Sequence, residues 1–266
     1  MLRRLKTDKS IIADLPEKLE QNDWATLSPE QESLYRKTFD SCMAKLADFN
    51  VENAEEKFER SAAVLRLIVA LKQICNHPVQ YLKEGKPDPA LSGKMQLFLD
   101  IVGGILETDE KVLVFTQFTE MGEILQEVLK KELKAESLFY HGGLSVSARE
   151  QIISEFETSP EKRILILSLK AGGTGLNLTV ASQVIHYDLW WNPAVEAQAT
   201  DRAYRIGQNR RVVVHRLITK DTFEEKINDM LESKKKISEM TVASGENWIT
   251  KLSDDELRQV FTLGKN

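Results

Sequence analysis

Cysteine and histidine are scarce in this 266-residue chain: two Cys, at 42 and 75, and four His, at 77, 141, 186 and 215, with no Cys-x-x-Cys spacing. That scarcity excludes a disulfide framework and a zinc cluster, so the sequence reads as intracellular and metal-free. There is no basic excess either. The 36 Lys and Arg face 41 Asp and Glu, a net charge of −5, which rules out a polybasic coat for nucleic acid and leaves only a local anion-binding surface open. Long apolar runs are missing. The longest stretch without a formal charge, Ala171 to Tyr187, holds three glycines and several polar residues, and Met1-Leu-Arg-Arg-Leu lacks the apolar core of a signal peptide. Both features argue against a membrane span and against secretion. No internal repeat and no low-complexity tail is visible.

What is present, 42% hydrophobic and 29% charged residues, is ordinary for a soluble chain with core enough for one large or two modest domains. The pattern changes near residue 90. Before it, Ser28-Pro29-Glu30-Gln31 offers an N-cap, a proline at the first helical position and a capping-box partner, followed by Leu34, Tyr35, Phe39, Met43 and Leu46 at helical spacing. A second helical pattern runs from about Glu55 to Cys75 and is closed by Pro78. Between Glu17 and Arg60, 11 acidic and 6 basic residues give a local balance of −5 and a solvated acidic outer face.

After the turn-rich Gly85–Gly93 segment, short aliphatic runs alternate with helical ones. They are Val112-Leu-Val-Phe, Ser137-Leu-Phe-Tyr, Ile164-Leu-Ile-Leu, Gln183-Val-Ile-His-Tyr and Val212-Val-Val-His-Arg-Leu-Ile, starting 25, 27, 19 and 29 residues apart. That is the period of βα units, and continuous apolar runs suit strands buried on both faces, so the spacing predicts a parallel α/β sheet. Helix starts are expected at Thr119, at Ser147-Ala-Arg-Glu150, at Asn192-Pro193 and at Asp221-Thr222, the last opening a long charged helix over 221–240. A last short helix starts at Ser253-Asp-Asp-Glu256 and ends near Gly264. Three parts follow: 1–90, linker and helical; 91–220, the α/β lobe; 221–266, a helical end.

In open α/β sheets ligands gather at the carboxyl ends of the strands. Four stretches follow the strands there, Thr116-Gln-Phe-Thr119, His141-Gly-Gly-Leu-Ser145, Ser168–Asn177 and Asp188–Pro193, and would line one edge. Lys170-Ala-Gly172-Gly173-Thr174-Gly175 frees backbone N–H groups to approach an anion and adds a lysine and a hydroxyl; the alternative is a plain tight turn. It is not a P-loop, because the glycine four residues before a Gly-Lys pair is missing here and at Ser92-Gly93-Lys94. Nor is it a dinucleotide fingerprint, because Leu178 stands three after Gly175. Gln198-Ala-Thr-Asp201-Arg202-Ala-Tyr-Arg205-Ile-Gly207-Gln208 is read as placing Arg202 and Arg205 on one face of a helix near its end. Between Gln198 and Lys220, 6 basic residues oppose Asp201 alone, which suits DNA phosphates or a phosphoryl group, the alternative being a surface helix with arginines near its carboxyl end. Trp190 and Trp191 point to opposite faces of an extended segment, one into the core and one free to touch a ligand. His77 and His141 lack visible carboxylate partners and read as structural.

Ser168-Leu-Lys-Ala-Gly-Gly-Thr-Gly-Leu-Asn-Leu-Thr179, Asp188-Leu-Trp-Trp-Asn-Pro193 and Gln198–Gln208, in that order and spacing, resemble motifs V, Va and VI of the Swi/Snf-type helicase-like ATPases. Leu2-Arg-Arg, Leu71-Lys-Gln-Ile-Cys-Asn-His-Pro78, Ser92-Gly-Lys94, Val114-Phe-Thr-Gln-Phe118 and Tyr140-His-Gly-Gly match as well, so the likeness covers nearly the whole chain. It implies the second RecA-like lobe of a two-lobe motor, with a helical protrusion before the sheet and a brace helix after it. In such motors ATP with Mg²⁺ binds between lobes, the first lobe supplying the P-loop lysine and the Asp-Glu pair. By the resemblance Arg202 and Arg205 are arginine fingers, worth roughly 10³ to 10⁵ in rate, Gln198 and Asp201 position them, and Gly173 and Gly175 shape the motif V loop. Thr116, Gln117, Ser168, Lys170, Thr174 and Trp191 would grip the backbone and minor groove of double-stranded DNA.

Two positions depart from the family pattern: Lys170 where arginine is usual, which loses bidentate geometry, and Tyr204 where histidine is common. Neither a P-loop nor an Asp-Glu-x-His motif occurs in the 266 residues, so the expectation is a chain that folds, binds DNA weakly and hydrolyses ATP little by itself, its other partner being an N-terminal RecA-like lobe. The resemblance implies a translocase that remodels protein–DNA complexes, in the nucleoid of a prokaryote or the nucleus of a eukaryote, the absence of basic tails leaning to the former. The rivals are a DNA- or partner-docking module and a strand-separating helicase.

Overall fold

The computed structural model describes residues 15–49, 53–168, 175–237 and 249–264. Six strands form one parallel sheet: β1 (Lys18–Ala25), β2 (Val112–Thr116), β3 (Ser137–Tyr140), β4 (Ile164–Ser168), β5 (Gln183–His186) and β6 (Val212–Thr219), in the order β1-β6-β5-β2-β4-β3. The five strands expected from the aliphatic runs are all there. The sixth, β1, comes from the segment assigned to the helical part, so the boundary at residue 90 does not separate sheet from helices. Its sequence Lys-Leu-Glu-Gln-Asn-Asp-Trp-Ala carries no strand-like apolar run because it is an edge strand, paired only with β6 from Lys18↔Val212 to Ala25↔Thr219.

The central strands are buried on both faces, and their side chains alternate between two cores. Val112, Val114, Ile164, Ile166, Ile185 and Leu217 face α4 (Gly93–Leu106) and α5 (Thr119–Glu132). Leu113, Phe115, Leu165, Leu167, Val184, Val212 and Val214 face α6 (Val146–Thr158) and the stretch after α7 (Pro193–Thr200). Period two on a sheet covered twice explains why these strands read as continuous apolar runs. No helix among the described residues is long and apolar enough to cross a membrane.

Leaving β1, the chain builds the protrusion α1 (Pro29–Leu46), α2 (Ala54–Asn76) and α3 (Pro78–Leu82) before re-entering the sheet through α4. The Ser28–Gln31 capping box forms, and so does the one at Ser253–Glu256 that opens α9 (Asp254–Phe261). Asn192 caps α7 with Pro193 at its first position. At α6 the cap is Ser145, whose Oγ accepts from the Ala148 N–H, two residues before the expected Ser147. α8 (Phe223–Ile237) follows a left-handed Asp221, and the expected end of that helix at 240 lies outside the described residues. α8 and α9 close the protrusion's core: Phe223, Ile227, Leu257 and Phe261 pack with Tyr35, Phe39, Val64 and Ile68, and the Tyr35 hydroxyl donates to the Phe261 carbonyl at 2.8 Å.

Candidate functional site

Asp188, the first residue of the Asp-Leu-Trp-Trp stretch, sits at the carboxyl end of β5 and organises the centre of the sheet edge. It is 1% exposed and accepts from the Thr116 hydroxyl, the Gln117 backbone N–H at 2.8 Å and the Asn76 amide at 3.4 Å. Burial pushes its pKa up, opposed by the bonds from Thr116 and Gln117 and by the nearby Lys94 and Lys72. The Gln117 side-chain amide donates to the Leu189 carbonyl at 2.7 Å and accepts from Lys72 Nζ at 3.4 Å, while that ammonium lies 4.0 Å from the centre of the Trp191 ring. Trp191 also meets Phe223 edge-on at 5.4 Å. The ends of β2 and β5 are thereby tied to α2.

A second buried group joins α4, α8 and the last turn of α2. Lys94 Nζ is 2.8 Å from both Glu224 carboxylate oxygens and 3.5 Å from the Asn76 side-chain oxygen. Glu224 further accepts from the Thr219 N–H at 2.9 Å, and the Asn76 carbonyl accepts from the Ser92 and Tyr187 hydroxyls at 2.7 and 3.0 Å. Lys72, Asn76, Lys94 and Glu224 were not singled out as site residues in the sequence. The faint signal was a lysine and an asparagine inside the Leu71–Pro78 match and a lysine after Ser92-Gly93, each where an apolar helix face would otherwise run.

The arginine stretch differs from the expected geometry. α7 ends at Thr200 with Asp201 as its C-cap, and the chain continues as tight turns through Arg202 N–H→Ala199 at 3.2 Å, Ala203 N–H→Thr200 at 3.0 Å and Arg205 N–H→Ala203 at 3.2 Å. Arg202 and Arg205 therefore do not share a helix face. Arg202 is 6% exposed beside Tyr140, and burial lowers its pKa; Arg205 is exposed, with no hydrogen-bond or ion-pair partner for its guanidinium among the described residues. The turn is pinned from both ends. The Arg202 carbonyl accepts from Leu178 N–H at 2.8 Å, and buried Gln208 donates to the Ala181 and Ala203 carbonyls at 2.8 and 3.1 Å. Gly207, at φ +101°, makes the reversal between them that a side chain would strain.

The local basic excess also disperses. Arg216 is buried against Glu196 at 3.1 Å, Asn22 at 2.8 Å and Asn228 at 2.9 Å; Arg210 donates to the Asp109 carbonyl at 2.6 Å; Arg211 lies 3.6 Å from Glu17. Residues distant in sequence answer these charges, so segment arithmetic overstated the anion-facing surface.

Of the other expected site residues, Gln198 is exposed and Asp201 half-buried at the C-cap. Gly175 takes φ +117°. Lys170, Gly173 and Thr174 lie outside the described residues. Thr116 and Ser168 pair across β2 and β4 and are buried, and Trp191 is the core-facing member of its pair at 3% exposed, with Trp190 half-buried. The side chains of Thr116, Ser168 and Trp191, expected at the DNA, are each withdrawn from solvent in this lobe. Gln117, half-buried, keeps a second amide hydrogen for an outside acceptor.

Residues 93–207 match the helicase conserved C-terminal domain and residues 1–80 the SNF2-related domain. The Sulfolobus solfataricus SWI2/SNF2 ATPase C-terminal domain is 37% identical with a TM-score of 0.78, covering 94% of this chain and 100% of that one. This chain belongs to the SWI2/SNF2 ATPase family. The SWI2/SNF2 ATPase core of the same organism in complex with double-stranded DNA gives a TM-score of 0.83 at 41% identity, over 99% of this chain and 54% of that one. YwqA of Bacillus subtilis, an ATP-dependent helicase/translocase by name, is 46% identical over 99% of this chain and 28% of its own length. The SWI2/SNF2 chain described here thus spans about a quarter of the curated relatives it matches. Its parallel sheet flanked by helices is the RecA-like lobe that the Swi/Snf resemblance implied.

Proposed function

We propose that this chain is the second motor lobe of a DNA-dependent ATPase that moves along double-stranded DNA and remodels protein–DNA complexes. The observation that carries the reading is Arg205: an exposed guanidinium on a turn fixed by Gln208, Gly207 and the Leu178–Arg202 backbone bond. An arginine held on a rigid turn with its donors open suits a phosphate chain approaching from a facing lobe. Arg202, buried next to Tyr140, would add a second positive charge, and Gln198 and Asp201, just before the two arginines in the chain, would help to position them. ATP with Mg²⁺, held mainly by a P-loop that this sequence lacks, supplies the phosphoryl group. The residues of this chain would contribute charge stabilisation as the phosphoryl group transfers, while Gln117, Lys170 and Thr174 would meet the DNA backbone.

The test is triplex displacement by this chain joined to a P-loop-bearing upstream lobe. Double-strand tracking ejects the third strand with ATP and leaves the duplex paired; unwinding of a forked duplex would favour a strand-separating helicase, and duplex binding without either would favour a docking module.

A further inference from the structure

Lys72 has no place in the reading above, yet it touches two residues of the sheet edge. It belongs to α2 of the protrusion, is 2% exposed, and places Nζ 4.0 Å from the Trp191 ring centre and 3.4 Å from Gln117 Oε1. A buried ammonium is costly unless compensated, and here an indole face, an amide oxygen and the nearby Asp188 carboxylate provide the compensation. The Gln117 amide is held at both ends, its oxygen facing Lys72 and its nitrogen donating to the Leu189 carbonyl at 2.7 Å. An amide with both ends engaged has one orientation. Removing the ammonium leaves the oxygen without its donor, and the group is then free to turn over.

We infer that Lys72 is a positioning residue: it sets the orientation of the Gln117 amide and the seat of Trp191, and so carries the placement of the helical protrusion to the edge of the sheet. The consequence for duplex binding rests on the reading of Gln117 as a DNA contact. The positioning itself does not.

The experiment uses the ¹⁵N-labelled 266-residue chain carrying Lys72→Met, Lys72→Gln or Lys72→Arg, with Gln117→Ala as reference, each held below its unfolding midpoint. The readouts are the Gln117 side-chain amide and Trp191 indole N–H resonances, and the Kd for a short duplex at low salt. Lys72→Met and Lys72→Gln should move both resonances and weaken duplex binding roughly three- to tenfold, with Lys72→Arg within about twofold of wild type. A lower unfolding midpoint with both resonances unmoved overturns the inference. So does a loss of affinity in Gln117→Ala that neither uncharged Lys72 variant shares. Resonances that move while no variant, Gln117→Ala included, changes the Kd uphold the positioning and remove the DNA reading of Gln117 instead.

Discussion

Lys94 and Glu224, 130 residues apart in sequence, meet through both carboxylate oxygens at 2.8 Å with side chains 0% and 3% exposed. The contact fastens the first turn of α4 to the first turn of α8, and Asn76 between them brings in the end of α2. Three parts that composition separates, protrusion, lobe and brace, are joined at one buried polar knot.

Breaking that pair from one side is therefore severe. Lys94→Met leaves a buried carboxylate without its cation and should cost about 3 to 5 kcal/mol in denaturant unfolding, while Lys94→Met combined with Glu224→Leu should recover most of the loss. Equal losses in the single and double variants would mean that the pair is not the source of the effect.

Glycines in α4 should respond with opposite signs. A Cβ on Gly93 would stand 1.9 Å from the Thr26 carbonyl oxygen, whereas Gly103 and Gly104 have nothing within 4 Å. Gly93→Ala should cost about 2 kcal/mol or more by overpacking against backbone, and Gly103→Ala and Gly104→Ala should each gain about 0.5 to 1 kcal/mol from helix propensity. Unfolding midpoints measure all three.

Stability should fall on mild acidification, with His186 as a named contributor. Burial lowers its pKa to about 3, with Arg216 and Lys18 pushing the same way, and its ring stacks on Phe115 while one nitrogen faces the Thr200 hydroxyl at 3.0 Å. The unfolded ring binds its proton near pH 6.5 and the folded ring resists, so unfolding is favoured as pH drops from about 6.5 toward 3, by at most ~1.4 kcal/mol per pH unit. Buried His77, its pKa also lowered by desolvation, acts in the same direction. Buried Asp188 has its pKa raised, so over its own range the sign reverses and protonation favours the fold. His186→Gln should flatten the dependence of the unfolding free energy between pH 7 and 5; an unchanged slope would contradict the assignment.

The legible part of the molecule was what repeats or caps. Five strands announced themselves because burial on both faces makes Val112–Phe115 and Ile164–Leu167 continuously apolar, and Ser28, Asn192 and Ser253 marked helix starts through local bonds that need no tertiary context. β1 was hidden because an edge strand needs no apolar pattern. The helical reading of Arg202 and Arg205 failed because Asp201 caps α7 three residues after the start of the Gln198 stretch, a stop that carries no proline or glycine. Charge counting near Arg216 misled for a related reason: Glu196, Asn22 and Asn228 reach it through the fold, and no window of sequence contains them all. The edge network of Lys72, Gln117, Asp188 and Trp191 lies in three separate stretches that only the closed sheet brings together.

On the proposed function, Arg205 acts across a cleft on a nucleotide held by another lobe. Duplex-stimulated ATP hydrolysis by this chain joined to a P-loop-bearing upstream lobe, in wild-type and Arg205→Ala forms with unfolding midpoints taken alongside, decides whether it does. Because Arg205 is exposed, its removal should change stability by no more than about 0.5 kcal/mol, and turnover should fall roughly 10³-fold or more. Turnover equal to wild type in a stably folded Arg205→Ala protein would contradict the account and make the Arg-Ile-Gly-Gln turn a structural element.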